Sequence, residues 1–235
     1  MKKSAAVLLT ILVMLVSIGA LVQISPDNMK IRLKLPESFI KKEKTIKNPE
    51  DIMVLVNRRY KLSEDYKPKN MVIPKVKFSN NITAEEKQMR KETADAIEEL
   101  FNAAKKNSME LYVVSAYRSY ETQKGLYEER VSQRGKKEAD KYVAEPGSSE
   151  HQTGLAVDVT NKLGSKGQLQ QDFGQTKEGK WLKSNCHKYG FIIRYPYGKE
   201  KITGYNYEPW HIRYVGKKTA EEIFEKDIVL EEMKK

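Results

Sequence analysis

Residues 146–160 read PGSSEHQTGLAVDVT, and residues 206–216 read NYEPWHIRYVG. These segments hold His151 and His211, two of the three histidines in the chain, with Asp158 seven residues after the first and Glu208 three residues before the second. Neither has the helical HExxH spacing. AVDVT at 156–160 and HIRYV at 211–215 are short runs rich in β-branched residues and read as strands. A catalytic metal commonly takes three nitrogen or oxygen ligands from the protein and keeps a fourth position for water. Two histidines and an aspartate supply such a set, and a further carboxylate nearby can take a proton from that water. The same residues also suit hydrogen-bonded structural histidines, and residue types alone leave both readings open. The single cysteine, Cys186, excludes an internal disulfide and any multi-thiolate zinc site.

Working outward, Thr83 and Glu86 form a capping-box pattern, and Met89, Ile97, Leu100, Phe101 and Ala104 follow at helical spacing. This predicts an amphipathic helix over 84–107. ELYVVS at 110–115 reads as a strand, followed by a helix from Tyr120 to Gln133 stopped by Gly135. FIIRY at 191–195 is a further strand, preceded by a helix over 180–189 with Gly190 just beyond it. The order is mixed, so the fold class is α+β, while the sheet topology is not legible. The stretch from Met53 to Val76 has short apolar runs broken by Pro68 and Pro74, as expected of an extended segment over a domain surface.

Length and charge set the organisation. The chain has 235 residues, 39% hydrophobic and 32% charged, which supports one globular domain with appended segments. Ser4 to Ile24 are 21 residues without a charge, preceded by Lys2 and Lys3. As a helix they would span about 31 Å, enough to cross a bilayer. Residues 1–24 are therefore expected to be a signal anchor, with a cleaved signal peptide as the alternative, residues 25–52 a basic tether, and residues 53–235 the domain. The net charge of +11 is concentrated in 28–80, which carries +8, whereas 81–235 carries only +2. A nearly neutral domain argues against nucleic-acid binding; a basic tether suits contact with anionic lipid headgroups or wall polymers, or serves as a solvated stalk.

Ser149, His151, Gly154, Ala156 and Asp158 fill the pattern SxHxxGxAxD, and Glu208 and His211 fill ExxH. These are the paired motifs of zinc peptidases related to lysostaphin, D-Ala-D-Ala metallopeptidases and hedgehog proteins, which the chain resembles. Within that group SAYRSYETQKGLY at 115–127, YGFIIRYP and the YEPWHIRYVG ending look like the VanY-type D-alanyl-D-alanine carboxypeptidases and their LdcB-type L,D-carboxypeptidase relatives. The likeness runs from about residue 54 to 216 with the motifs in order.

The resemblance implies a central antiparallel sheet bearing one zinc, with helices packed outside it. It implies His151, Asp158 and His211 as ligands and Glu208 as general base. Arg118 is implied to act at the metal by binding a peptide carbonyl or terminal carboxylate, Gln123 and Ser149 to line the pocket, and Trp210 to pack its wall. The expected activity is removal of the terminal D-alanine from peptidoglycan stem pentapeptides outside the membrane. L,D-carboxypeptidase action on tetrapeptide stems fits the same motifs. A non-catalytic wall-binding module of the same fold is the third reading, and a retained Glu208 beside intact ligands argues against it. Cys186 and His187 match no metal or nucleophile pattern.

Overall fold

A computed structural model describes residues 21–24, 31–34, 43–166 and 169–233. Contacts divide the chain into two units, Met1–Glu43 and Lys44–Lys235. In the first, β1 (Leu21–Ile24) pairs antiparallel with β2 (Ile31–Lys34). The end of the apolar run expected to be helical is thus a strand; the rest of that run, residues 4–20, lies outside the described residues. No helix among the described residues is long and apolar enough to cross a membrane.

In the second unit, β3 (Lys44–Thr45) runs parallel to β4 (Tyr60–Lys61). Ile46 and Ile52 pack against Val54, Val56, Leu62 and Leu155. Residues 44–52, expected in the tether, are therefore part of the folded unit, because their few apolar side chains find a cluster to bury against. Next, β5 (Met71–Val72) pairs antiparallel with β6 (Met89–Arg90), and helix α1 spans Lys91–Lys106.

The helix starts later than 84 for a visible reason. The Thr83–Glu86 box does form, with Thr83 N donating to the Glu86 carboxylate at 3.1 Å and Glu86 N donating to Thr83 Oγ1 at 3.2 Å. It closes a single turn. Met89 and Arg90 are then drawn into the ladder with β5, and Arg90 N donates to the Gly154 carbonyl at 3.0 Å.

The principal sheet has four antiparallel strands in the order β7 (Tyr112–Ser115), β8 (Ala156–Thr160), β10 (Glu208–Tyr214), β9 (Phe191–Tyr195). The predicted antiparallel sheet with helices outside it is what forms. Alternation along the strands sorts the side chains into two faces. Val113, Val157, Val159, Phe191 and Ile212 pack in one cluster with Ile97, Leu100 and Ala104 of α1. Each such buried aliphatic side chain contributes on the order of 1.5–3 kcal/mol. The alternate positions are Asp158, Arg194, His211 and Arg213, all buried. A sheet face carrying four buried ionisable groups cannot be there for hydrophobic packing.

Helices α2 (Tyr120–Arg134) and α3 (Lys136–Tyr142) follow β7, as predicted for the first of them. Helix α4 (Lys177–Asn185) continues as a 3-10 turn to Tyr189 and ends at Gly190, whose φ is +87°. After β9 come α5 (Glu200–Thr203) and, beyond β10, α6 (Lys217–Glu225). Ala220 and Ile223 of α6 pack with Ile192, Val215 and Leu230.

Candidate active site

The register between β8 and β10 sets Asp158 opposite His211. Directly opposed residues of an antiparallel pair share a face, so both groups project from the charged side of the sheet. His151 comes from the 3-10 turn Glu150–Thr153 that leads into β8. Gly154 closes this turn with φ +67°, and a Cβ there would stand 3.2 Å from the Arg90 amide nitrogen and 3.0 Å from the Met71 sulfur. Conformation and space both demand glycine at that corner.

His151 Nδ1 lies 2.5 Å from the Ala116 carbonyl oxygen, which places the proton on Nδ1 and turns Nε2 toward the cluster. Nε2 is 3.3 Å from Asp158 Oδ2, and His211 Nδ1 is 3.1 Å from Asp158 Oδ1. One ligand-type atom from each of the three residues falls within 4.8 Å of the others. Yet His151 Nε2 and Asp158 Oδ1 are buried and make no well-formed hydrogen bond among the described residues. Buried polar atoms are rarely left so. Two imidazole nitrogens and a carboxylate that converge without satisfying one another could hold a metal ion, and they match the three-ligand donor set of catalytic zinc.

The field around the cluster suits this. Burial, and next the charge of Arg118, push the His151 imidazolium down, leaving the neutral ring that binds metals. Burial alone would raise Asp158, but His151 and His211 hold it far below the usual carboxylate range. For His211 burial works downward, while contacts with Asp158 and Glu150 raise it to about 9. Glu208 is 3.9 Å from His211 Nδ1 through Oε2. Burial pushes its carboxyl from 4.5 up to about 7, with His211 opposing and Asp158 reinforcing the rise. That is the range useful to a general base near neutrality.

Arg118 lies three residues beyond the end of β7, and its backbone amide donates to the His151 carbonyl at 3.3 Å. Its Nε is buried with no partner among the described residues. Gln123 is held on α2 by its Nε2 donating to the Ala144 carbonyl at 2.8 Å, which leaves Oε1 unsatisfied among the described residues. Ser149 and Trp210 line the same cleft, about 690 Å³ in volume, with Arg118, Gln123, His151, Asp158, Glu208 and His211. The structure thus brings all eight candidates to one place. Cys186 lies in the apolar core with its thiol pushed up to about 12 by burial, and His187 stacks on Phe224 at 3.7 Å.

Sequence reasoning missed what stands behind His211. Glu150 Oε2 is 3.5 Å from His211 Nε2, an ion-pair distance at which neither atom makes a well-formed hydrogen bond among the described residues. Its Oε1 accepts from Arg194 Nε at 2.7 Å and from Arg213 at 2.8 Å, and all three side chains are fully buried. Burial alone would raise Glu150, but the two guanidiniums hold it well below the usual range. Arg194 also reaches Glu231 through two bonds of 2.8 and 2.7 Å, and Arg213 donates to the carbonyls of Ile52 and Val54 at 2.8 Å each. A carboxylate on the outer nitrogen of a metal-binding histidine fixes its tautomer and ring plane.

Comparison with known proteins agrees with this geometry. A family described as VanY, D-alanyl-D-alanine carboxypeptidase, matches residues 86–217. A Bacillus subtilis (strain 168) protein named as a carboxypeptidase, YodJ, is 52% identical over 189 residues, covering 80% of this chain and 68% of that one. Among solved structures, the LdcB LD-carboxypeptidase superposes with a TM-score of 0.77 at 50% identity, over 81% of this chain and 88% of that chain. A variant of the vancomycin-resistance D,D-pentapeptidase VanY, in complex with Zn(II), gives 0.62 at 32% identity over 77% and 97%. By sequence and by structure, the chain belongs to the VanY family of D-alanyl-D-alanine carboxypeptidases, a family of zinc metallopeptidases.

Proposed function

We propose that this zinc-dependent peptidoglycan carboxypeptidase removes the terminal D-alanine of stem peptides, with His151, Asp158 and His211 as the zinc ligands and Glu208 as the base. The observation that carries the reading is the convergence in one cleft of that buried triad, a raised carboxylate and a guanidinium whose buried Nε has no partner among the described residues. Zinc, when bound, supplies Lewis acidity that polarises the scissile carbonyl and makes a water more acidic, toward a pKa of about 7. Glu208 receives the proton on its carboxylate and returns it to the departing amine. Arg118 pairs with the terminal carboxylate, and its buried Nε gives that pairing a dry setting. Gln123 and Ser149 lie along the cleft where peptide groups would pass, and Trp210 walls it.

Both tetrapeptide and pentapeptide stems end in D-alanine. The family description names the D,D bond, while the greater likeness to the LD-carboxypeptidase, 50% identity against 32% for VanY, favours the tetrapeptide as the faster substrate. Incubating purified protein with defined tetra- and pentapeptide muropeptides and weighing the products tests this. Release of one D-alanine from both, faster from the tetrapeptide, is expected. A faster pentapeptide reverses the order, and cleavage of internal or amidated sequences at equal rates defeats carboxylate recognition. In the same assay Arg118→Ala is expected to lower kcat/KM by ~10 to 10³-fold, the scale of a charge-assisted bond of roughly 1.5–3 kcal/mol with further loss where water is excluded. Arg118→Lys rescues incompletely, since an ammonium lacks the planar fork.

The proposal includes an extracytoplasmic domain, with the uncharged run Ser4–Ile24 as anchor or cleaved signal and the basic stretch beyond it near anionic lipid or wall polymer. Whole cells treated with external protease should lose the domain; an anchor leaves residues 1–24 in the membrane fraction, whereas a cleaved signal gives a mature N-terminus near residue 20. Full protection of the domain overturns the placement.

A further inference from the structure

The cleft is much larger than a terminal alanine requires, and one of its walls is α2. Gln123, Leu126, Glu129, Arg130 and Gln133 of that helix all line it. Their spacing of three and four residues makes one stripe along the helix, leading away from the buried Gln123 beside the triad. At about 1.5 Å per residue, Arg130 lies about 10 Å along the stripe from Gln123, the length of about three extended residues. The surroundings change along this path. Near the triad the groups are buried, whereas Leu126, the next position along the stripe, and Tyr142 of the same cleft are exposed apolar surface, 38% and 56% accessible.

Two opposite charges stand in this outer half. At roughly 100° per residue, Glu129 and Arg130 project to the two margins of the cleft-facing stripe. Gln133 Nε2 donates to Glu129 Oε1 at 2.9 Å, which tethers the carboxylate without neutralising it. Arg130 makes no hydrogen bond or ion pair among the described residues, although Glu129 is its immediate neighbour. A carboxylate and a guanidinium kept apart, with apolar surface between the triad and them, match a ligand whose methylene chain ends in an ammonium and a carboxylate together. Diaminopimelate has that side chain: three methylenes, then one carbon bearing both groups. Lysine offers only the ammonium and leaves the guanidinium without a partner.

We propose that Glu129 and Arg130 form a subsite for the side-chain ammonium and carboxylate of diaminopimelate in the stem peptide. This rests on the stem-peptide reading above. In a tetrapeptide the diamino acid directly precedes the terminal alanine, so its side chain leaves the scissile bond toward the outer cleft, across Leu126. Discrimination arises because a guanidinium can pair bidentately with a carboxylate, an interaction that lysine cannot make.

The test compares two synthetic tetrapeptides that differ only in diaminopimelate or lysine. Turnover is measured with wild-type full-length protein, and equilibrium binding with the Glu208→Gln protein. The expected result is at least a tenfold preference for diaminopimelate in kcat/KM, and a preference of the same sense in Kd. In Arg130→Ala the ratio should fall to within about threefold, and Glu129→Gln should weaken both diamino acids. Arg134→Ala, one helical turn beyond Arg130, should leave the ratio where it was. Equal use of the two stems by the wild type, or an unchanged ratio in Arg130→Ala, overturns the subsite while leaving the carboxypeptidase reading intact. If neither stem is cut, the carboxypeptidase reading falls, and the binding ratio still decides whether the cleft selects diaminopimelate.

Discussion

Replacing Glu208 by glutamine is expected to leave zinc bound and to lower kcat by at least ~10²-fold, the usual scale for removing a positioned acid or base. The substitution keeps shape and hydrogen-bonding reach but removes the proton-accepting oxygen, and Glu208 stands 3.9 Å from the His211 nitrogen rather than among the triad atoms. Metal analysis of the purified variant beside turnover separates the two roles. The pH profile adds a second reading. The carboxylate must be ionised to act, and burial holds it up to about 7 rather than 4.5. Wild-type kcat/KM should therefore fall as pH drops below a limb at or below about 7, since a cation at the triad draws the value downward. The residual rate of the glutamine variant should lack that limb. A near-normal rate in the variant would assign the base elsewhere.

Glu150→Ala is expected to be the most destabilising single change in the domain. It removes the carboxylate that Arg194 and Arg213 share, leaving two fully buried guanidiniums, one of them with Glu231 and the other, among the described residues, with backbone carbonyls alone. Removing one partner from a buried ion pair costs about 3–5 kcal/mol, a large part of the roughly 5–15 kcal/mol that holds an ordinary domain. Thermal unfolding should shift down by about 10 °C or more. Zinc affinity of the folded fraction should also drop by about 10 to 100-fold, because His211 loses the group that orients it. Glu231→Ala, which touches only Arg194 among these groups and is partly accessible, should cost less. Equal melting temperatures for wild type and Glu150→Ala would show that the network contributes nothing measurable.

What the sequence disclosed and what it hid follow from the range of the interactions. Strands 156–160 and 191–195 form with the expected bounds because their β-branched and aromatic runs are local signals ended by turns. The capping box at Thr83 misled because its hydrogen bonds are local and real, while the residues that end the turn are claimed by a strand and a glycine carbonyl far along the chain. The eight candidate residues were legible through motif resemblance, since spacing alone could not tell a metal cluster from structural histidines. Glu150 sits beside His151 yet carried no signal, because its partners are 44 and 63 positions away. A signal did exist in FIIRY and HIRYV, where arginine interrupts apolar strands whose alternation points it into the interior. A buried arginine demands an anion, and the nearest motif acid was the one to examine.

The arginine pair behind His211 also governs the order in which the protein can assemble. Arg213 is bonded to Ile52 and Val54, Arg194 to Glu231, so backbone near one boundary of the folded unit and a side chain near the other meet at the same point, about 180 positions apart in sequence. Contacts of such separation bring a loop-closure penalty and form late in folding. The strands can pair and the apolar face can collapse before that, but the backing of His211 is complete only when both flanks have arrived. Chains shortened from either side past these residues should fold a sheet without a competent metal centre, and hydrolytic capacity should appear only after both flanking segments have docked.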